Sequence, residues 1–219
     1  MGQIVKTPEK PDGPLQRERE TAILAAARAQ FAHFGFDKVT MEDVAKAVGV
    51  VKGSVYYYYP TKESLFRAVI EQEQREFLER IGTLLDASLS AQETLRLYVD
   101  KRQHYFREMV NLSQLDYHSW MKLTSHFNDL FTAFEEREVE IIERVLKRGI
   151  SEKTFAHCDS RQRASLFLHL LQGLRLRTMK DTKPPFHDSR KYSLLNQETR
   201  QFVDLFLSSI HTKSSKENT

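Results

Sequence analysis

Apolar residues recur along most of this chain at three- and four-residue intervals, the spacing of one face of a helix. Ile23, Leu24, Ala27, Phe31 and Phe34 mark such a stripe, predicting a helix from about Gln16 to His33 that Gly35 ends. Met41, Val44, Ala45 and Val48 predict a short helix that opens at Thr40 and stops at Gly49. A second short helix follows over Lys52 to Tyr58 with Val55 inward, and Val50 plugs the elbow between the two. Pro60 breaks the chain, Thr61 caps the next helix, and Leu65, Phe66, Val69, Ile70, Phe77, Leu78, Ile81 and Leu85 carry it onward. Beyond residue 90 no strand-like alternation appears. Ala91 to Val110 reads as one helix, Leu112 to His118 is ambiguous, and a long helix runs from about Trp120 to Arg148, stopped by Gly149. Ser160 to Lys180 and Asn196 to His211 follow, separated by a Pro184-Pro185 loop. The expected fold class is all-α.

The stretch Thr40 to Lys62, TMEDVAKAVGVVKGSVYYYYPTK, has the form of a helix-turn-helix. Thr40 and Asp43 have the spacing of a capping box, and Ala45 is small where two helices cross closely. Lys52, Gly53, Ser54, Tyr56 and Tyr57 face solvent, with Tyr58, Thr61 and Lys62 just beyond. Small residues let a backbone approach DNA, and hydroxyl and ammonium groups suit phosphate oxygens. The plainer alternative is an aromatic cluster, but successive helical residues spread around the circumference, so the four consecutive tyrosines cannot all be buried. A helix of this kind enters the major groove by its N-terminus.

Residues 17 to 70 resemble the N-terminal domain of the TetR family of bacterial transcriptional regulators. The resemblance rests on FAHFGF at Phe31 to Phe36, on Thr40, on VAKAVGV, on KGSVYYYY and on PTKESLF. It implies phosphate contacts from Tyr56, Tyr58 and Lys62, with Thr40 at the turn and with Lys52, Gly53 and Ser54 at or near base edges, while Tyr57 and Tyr59 pack. Where the family usually has Ser or Thr to cap the recognition helix, this chain has Val51. Losing such a cap costs about 1 kcal/mol. The resemblance further implies a homodimer on a near-palindromic double-stranded operator, acting as a repressor, and a small-molecule effector in the C-terminal domain. It places a four-helix dimer interface on the last two helices, at Phe167, Leu170, Leu171, Leu174, Phe202, Leu205 and Phe206, for about half of which burial within the monomer is the alternative.

The expected organisation is a flexible basic arm over 1–15, a DNA-binding domain over 16–60, a helical ligand-binding and dimerisation domain over 61–211, and a disordered tail over 212–219. Lys6, Lys10, Arg17 and Arg19 suit the arm to a DNA backbone or minor groove, the alternative being a plain solvated tail. The connecting helix over 61–88 outreaches a three-helix unit, which makes it a lever between the halves or, in the plainer reading, a passive linker. Aromatic residues crowd the middle of the second domain, and Tyr98, Tyr105, Met109, Tyr117, Trp120, Phe127 and Phe131 are the candidates to line a largely apolar effector cavity. Filling of an ordinary core is the competing reading for each.

Composition adds limits. In 219 residues, 40% hydrophobic content is enough for a core, and a net charge of +3 implies little unless clustered on one face. One cysteine, Cys158, excludes an internal disulfide and fits a reducing cytoplasm. No apolar run approaches the ~18 residues of a membrane span, so neither a membrane partner nor a membrane location is expected. Phosphate-cradling glycine loops, HExxH, GxSxG and paired-cysteine motifs are missing, so no catalytic residue, metal site or cofactor is expected; His157–Cys158 and His118/His126 are weak ligand sets. Two rivals remain: a sequence-nonspecific architectural DNA binder, and a helical carrier or enzyme built on the aromatic cavity.

Overall fold

The computed structural model describes residues 13–85, 89–108, 117–180 and 189–212. These residues form helices Pro14–Phe34 (α1), Met41–Val48 (α2), Lys52–Tyr58 (α3), Lys62–Leu85 (α4), Ala91–Glu108 (α5), Tyr117–His126 (α6), Asn128–Ser151 (α7), Ser160–Lys180 (α8) and Ser189–Ile210 (α9). Among the described residues there is no strand, only an isolated bridge between Phe155 and His211 that ties the end of α9 to the turn after α7. None of these helices is long and apolar enough to cross a membrane. The chain divides into two compact units, Met1–Val69 and Ile70–Thr219, and the division falls within α4.

In the first unit, local chemistry fixes each helix end. Thr40 accepts a bond from the Asp43 N–H through its hydroxyl at 3.2 Å while the Asp43 carboxylate accepts from the Thr40 N–H at 2.9 Å, the reciprocal cap expected of this spacing. Donation from the Thr40 hydroxyl at 2.7 Å, and then from its N–H, holds the Asp43 carboxyl below its usual range. Gly49 closes α2 in the left-handed region, φ +76°, its N–H turned back onto the carbonyls of Ala45 and Lys46. Ile23, Ala27 and Phe31 of α1, Val44 and Ala45 of α2, Val55 of α3, and Leu65 and Phe66 of α4 close the core. Phe31 meets Phe66 edge-on, with ring centroids 5.1 Å apart. Phe34, expected inside, is 51% exposed and borders an open hollow with Asp43, Lys46 and Ala47 of α2.

In the second unit, α7 packs on α5 and α8, while α9 packs on α5 and α8. Phe77 of α4 sits among Tyr105, Phe106 and Phe134, and Phe167 of α8 lies against Phe202 and Phe206 of α9. The long helix expected over Trp120 to Arg148 is two helices. Phe127 leaves helical torsions, at φ −113° and ψ 37°, and serves as the N-cap of α7. Buried Leu123, Phe127, Leu130 and Phe134 keep helical spacing straight through this break, so the pattern hides it. Gly149 does not stop α7, which continues to Ser151. Its role is close approach: a Cβ there would stand 2.1 Å from the Phe155 ring. The last helix starts at Ser189, not Asn196. The Leu112–His118 segment lies largely, and the Pro184-Pro185 loop wholly, outside the described residues, as do Lys6, Lys10 and the tail after Thr212.

Candidate functional site

In the first unit α2 and α3 pack together as the two helices of the helix-turn-helix. With Val55 fully buried, Tyr58 and Tyr59, three and four residues on, share its face and are also buried, whereas Tyr56 and Tyr57 are 42% and 49% exposed. The expectation that Tyr58 is open and Tyr57 packed is therefore reversed. Lys52 and Gly53 are exposed beside them, and Ser54 is half-buried. The Lys52 Nζ stands 5.8 Å from the Tyr56 ring. A Cβ built on Gly53 would meet nothing within 4 Å, so packing within the chain does not require a glycine there. Val51 is the N-cap of α3 and supplies no side-chain bond. Lys62 donates to the Phe36 carbonyl at 3.0 Å and lies 4.5 Å from the Phe36 ring centroid, fastening the start of α4 to the turn after α1.

The second unit holds a cavity of about 210 Å³ between the side chains of Gln74 on α4, Arg102 and Phe106 on α5, Thr124 on α6, Phe131, Phe134 and Glu138 on α7, and Gln172, Arg175 and Leu176 on α8. Its walls are aromatic, yet four of its side chains are buried polar or charged groups: Gln74, Arg102, Glu138 and Arg175. Glu138 receives the Tyr98 hydroxyl at 2.6 Å and Arg102 Nε at 2.7 Å on one oxygen, and Arg102 Nη2 at 3.3 Å on the other. Burial works against the Arg102 charge, but the facing carboxylate more than compensates and leaves the guanidinium above its ordinary pKa. Burial, then the Glu138 charge, pushes the Tyr98 phenol well above its usual range. Arg175 lies 4.0 Å from the Phe106 centroid; burial, then the like charge of Arg102, lowers its pKa to about 9. The Gln74 amide nitrogen is buried with no hydrogen-bond acceptor among the described residues.

The sequence profile of the bacterial regulatory proteins of the tetR family matches residues 23–69, which include all of α2 and α3. A transcriptional regulator from Cytophaga hutchinsonii superposes with a TM-score of 0.79 at 34% identity, over 89% of this chain and 99% of the other. This chain belongs to the TetR family. The fatty acid metabolism regulator protein of Bacillus subtilis is 23% identical over 90% of this chain and 98% of its own. The FadR regulator of Bacillus subtilis, solved in complex with stearoyl-CoA, shares the fold with a TM-score of 0.67 at 20% identity, over 87% of this chain and 99% of its own. The protein is accordingly a DNA-binding transcriptional regulator with an N-terminal helix-turn-helix.

In this TetR-family regulator the residues expected to line an effector cavity are scattered. Phe131 is on the cavity wall. Tyr98 and Phe127 are core side chains away from it, and Tyr105 borders a separate hollow beside Phe77 and His104. Met109 lies outside the described residues, as do the side chains of Tyr117 and Trp120. The polar members, Gln74, Arg102, Glu138, Gln172 and Arg175, were not expected. The signal for them was legible: Arg102 and Arg175 fall within apolar helical stripes, where a charge is out of place. Among the expected dimer residues, Phe167, Leu171 and Phe206 are buried within the chain, where they help pack α8 on α9. Leu174 and Phe202 are half-buried, and Leu170 and Leu205 are exposed.

Proposed function

We propose that this regulator is a repressor that binds a near-palindromic operator as a homodimer and releases it when a small molecule fills the cavity of the second unit. Contact with DNA comes from Thr40, Lys52, Gly53, Ser54, Tyr56 and Tyr57, the exposed or half-exposed groups on and before α3, with Lys62 positioning the start of α4. Buried Tyr58 supports the helix from beneath. The observation that carries the reading is one continuous helix, α4, which contributes Leu65 and Phe66 to the core of the DNA-binding unit and Gln74 to the cavity wall. Residues of the DNA-binding core and a residue of the cavity wall therefore belong to one uninterrupted helix. The energetic demand is modest, since a hundredfold loss of operator affinity needs ~2.7 kcal/mol of coupling. A fold-mate solved with stearoyl-CoA supports ligand control of this kind.

Selection of bound sequences from a random DNA pool by the purified protein tests the reading. An enriched inverted repeat is expected, with log affinity falling against log salt by ~0.9 per phosphate neutralised. Uniform retention of random DNA would instead make the protein an architectural binder, and no retention at all would favour the carrier.

A further inference from the structure

One cation of the DNA-binding unit is turned onto its own backbone. Lys62 is the first residue of α4, where its charge opposes the positive end of the helix dipole. The helix start does not depend on it, because Thr61 and Ser64 cap each other: the Ser64 N–H donates to the Thr61 hydroxyl at 3.0 Å and the Thr61 N–H to the Ser64 hydroxyl at 3.1 Å. Lys62 instead reaches back across the fold. Its Nζ donates to the Phe36 carbonyl at 3.0 Å and to the Asp37 carbonyl at 3.4 Å, and stands 4.5 Å from the Phe36 ring centroid. That ring is packed in turn against Phe31 and Phe66, with centroids 6.0 and 4.8 Å away. What the ammonium holds is the turn over 36–38 that joins α1 to α2. Buried Val39 and then Thr40, the N-cap of α2, follow directly. Because α2 packs on α3, the place of this turn sets the place of α3.

We propose that Lys62 is a positioning residue for operator reading, a clamp on the α1–α2 turn, in place of the phosphate contact that the family resemblance implies. An ammonium has three N–H groups, and two carbonyls and a ring face already compete for this one. Turning it to a phosphate would surrender those contacts and release the turn at the moment of binding. The two roles leave different traces on DNA affinity. A phosphate contact attracts any duplex alike and adds to the salt dependence. A clamp acts through register: without it the turn, Thr40 and α2 shift together, which harms contacts with base edges and spares the general attraction of protein for phosphate. This assignment rests on the reading of α2 and α3 as the DNA-binding element, and it adds a residue that governs specificity without touching the duplex.

Titration of full-length Lys62→Met decides between them, because methionine keeps the aliphatic stem and removes the ammonium. The probes are the inverted repeat enriched by the wild-type protein and a random duplex of the same length. Each is measured at several salt concentrations and well below the unfolding midpoint of every variant. Affinity for the inverted repeat is expected to fall roughly tenfold or more, while affinity for the random duplex and the slope of log affinity against log salt stay as in the wild type. Lys62→Arg, which restores a cationic donor, should regain most of the lost preference. A slope reduced by ~0.9, with both duplexes weakened equally, makes Lys62 a phosphate contact and overturns the clamp. Unchanged affinity for both duplexes overturns it too, since a residue that only stabilises the fold would give that result. Should Lys62→Met fail to fold, Lys62→Gln replaces it: an uncharged donor is expected to give an intermediate loss on the inverted repeat at the wild-type slope, and a slope reduced by ~0.9 again overturns the clamp. A wild-type protein that enriches no inverted repeat removes the operator reading and the clamp together. Normal wild-type enrichment with either overturning result removes the clamp alone.

Discussion

At the scale of single residues, stability and function separate most cleanly at Gly53. Glycine costs a helix interior about 0.5–1 kcal/mol relative to alanine, and nothing in the chain would clash with a Cβ there. Gly53→Ala is therefore expected to raise the melting temperature of the protein while weakening operator binding by tenfold or more, checked by calorimetry and a DNA titration on the same sample. Unchanged DNA affinity would show that the backbone at Gly53 does not come close to the duplex. Glu138 makes the opposite case, where removing charge is costly. Glu138→Gln keeps the volume but leaves Arg102 facing a neutral amide in a buried site, and breaking such a pair costs ~3–5 kcal/mol. Urea denaturation should register a loss of that size, and a loss below about 1 kcal/mol would mean that water reaches the pair.

At the scale of elements, helix ends record what the sequence could and could not tell. Both caps of α2 were legible because capping is a local transaction between Thr40 and Asp43 and between Gly49 and the preceding turn. For the same reason the uncapped start of α3 was legible at Val51, whose backbone, at φ −72° and ψ 147°, already has the extended shape of an N-cap. Val51→Thr should therefore stabilise the DNA-binding unit by about 0.5–2 kcal/mol, seen as a higher urea midpoint with an unchanged slope. No gain would place the hydroxyl away from the free N–H groups of α3. What stayed hidden was decided by tertiary partners. The break at Phe127 carries no proline or glycine and keeps the helical spacing of buried residues, so only the packing of α6 and α7 reveals it. Gly149 looked like a stop signal and is instead a contact point, because the Phe155 ring that presses on it arrives from beyond the helix end. The polar half of the cavity was missed for a different reason: a charge within an apolar stripe was visible at Arg102 and Arg175, but a search for aromatic walls passes over it, and the charged heads meet Phe106 only in the folded chain.

At the scale of the whole molecule, the last two helices carry more apolar surface than one chain covers. Leu166 and Leu170, one turn apart and hence on one face of α8, are 47% and 45% exposed, and Leu205 on α9 is 72% exposed. Scattered exposed leucines are ordinary, but two on one face of α8 and a third on the α9 helix packed against it supply apolar surface for a partner. Two-fold symmetry makes a second copy of this chain the natural one, since an isologous contact presents the same patch from both sides. The inner side of the α8–α9 pair is filled by Phe167, Leu171 and Phe206, so charge placed on the outer side should leave the fold intact. Leu170→Lys combined with Leu205→Lys is accordingly expected to give a folded monomer by sedimentation velocity, with helical content and unfolding cooperativity retained. Its affinity for a full inverted-repeat operator should fall by about a hundredfold or more, since linking two half-site contacts adds on the order of 10²–10⁴ in avidity, while its affinity for an isolated half-site should not change. A variant that stays dimeric would move the interface away from α8 and α9, and a monomer that keeps full operator affinity would remove two-fold symmetry from recognition altogether.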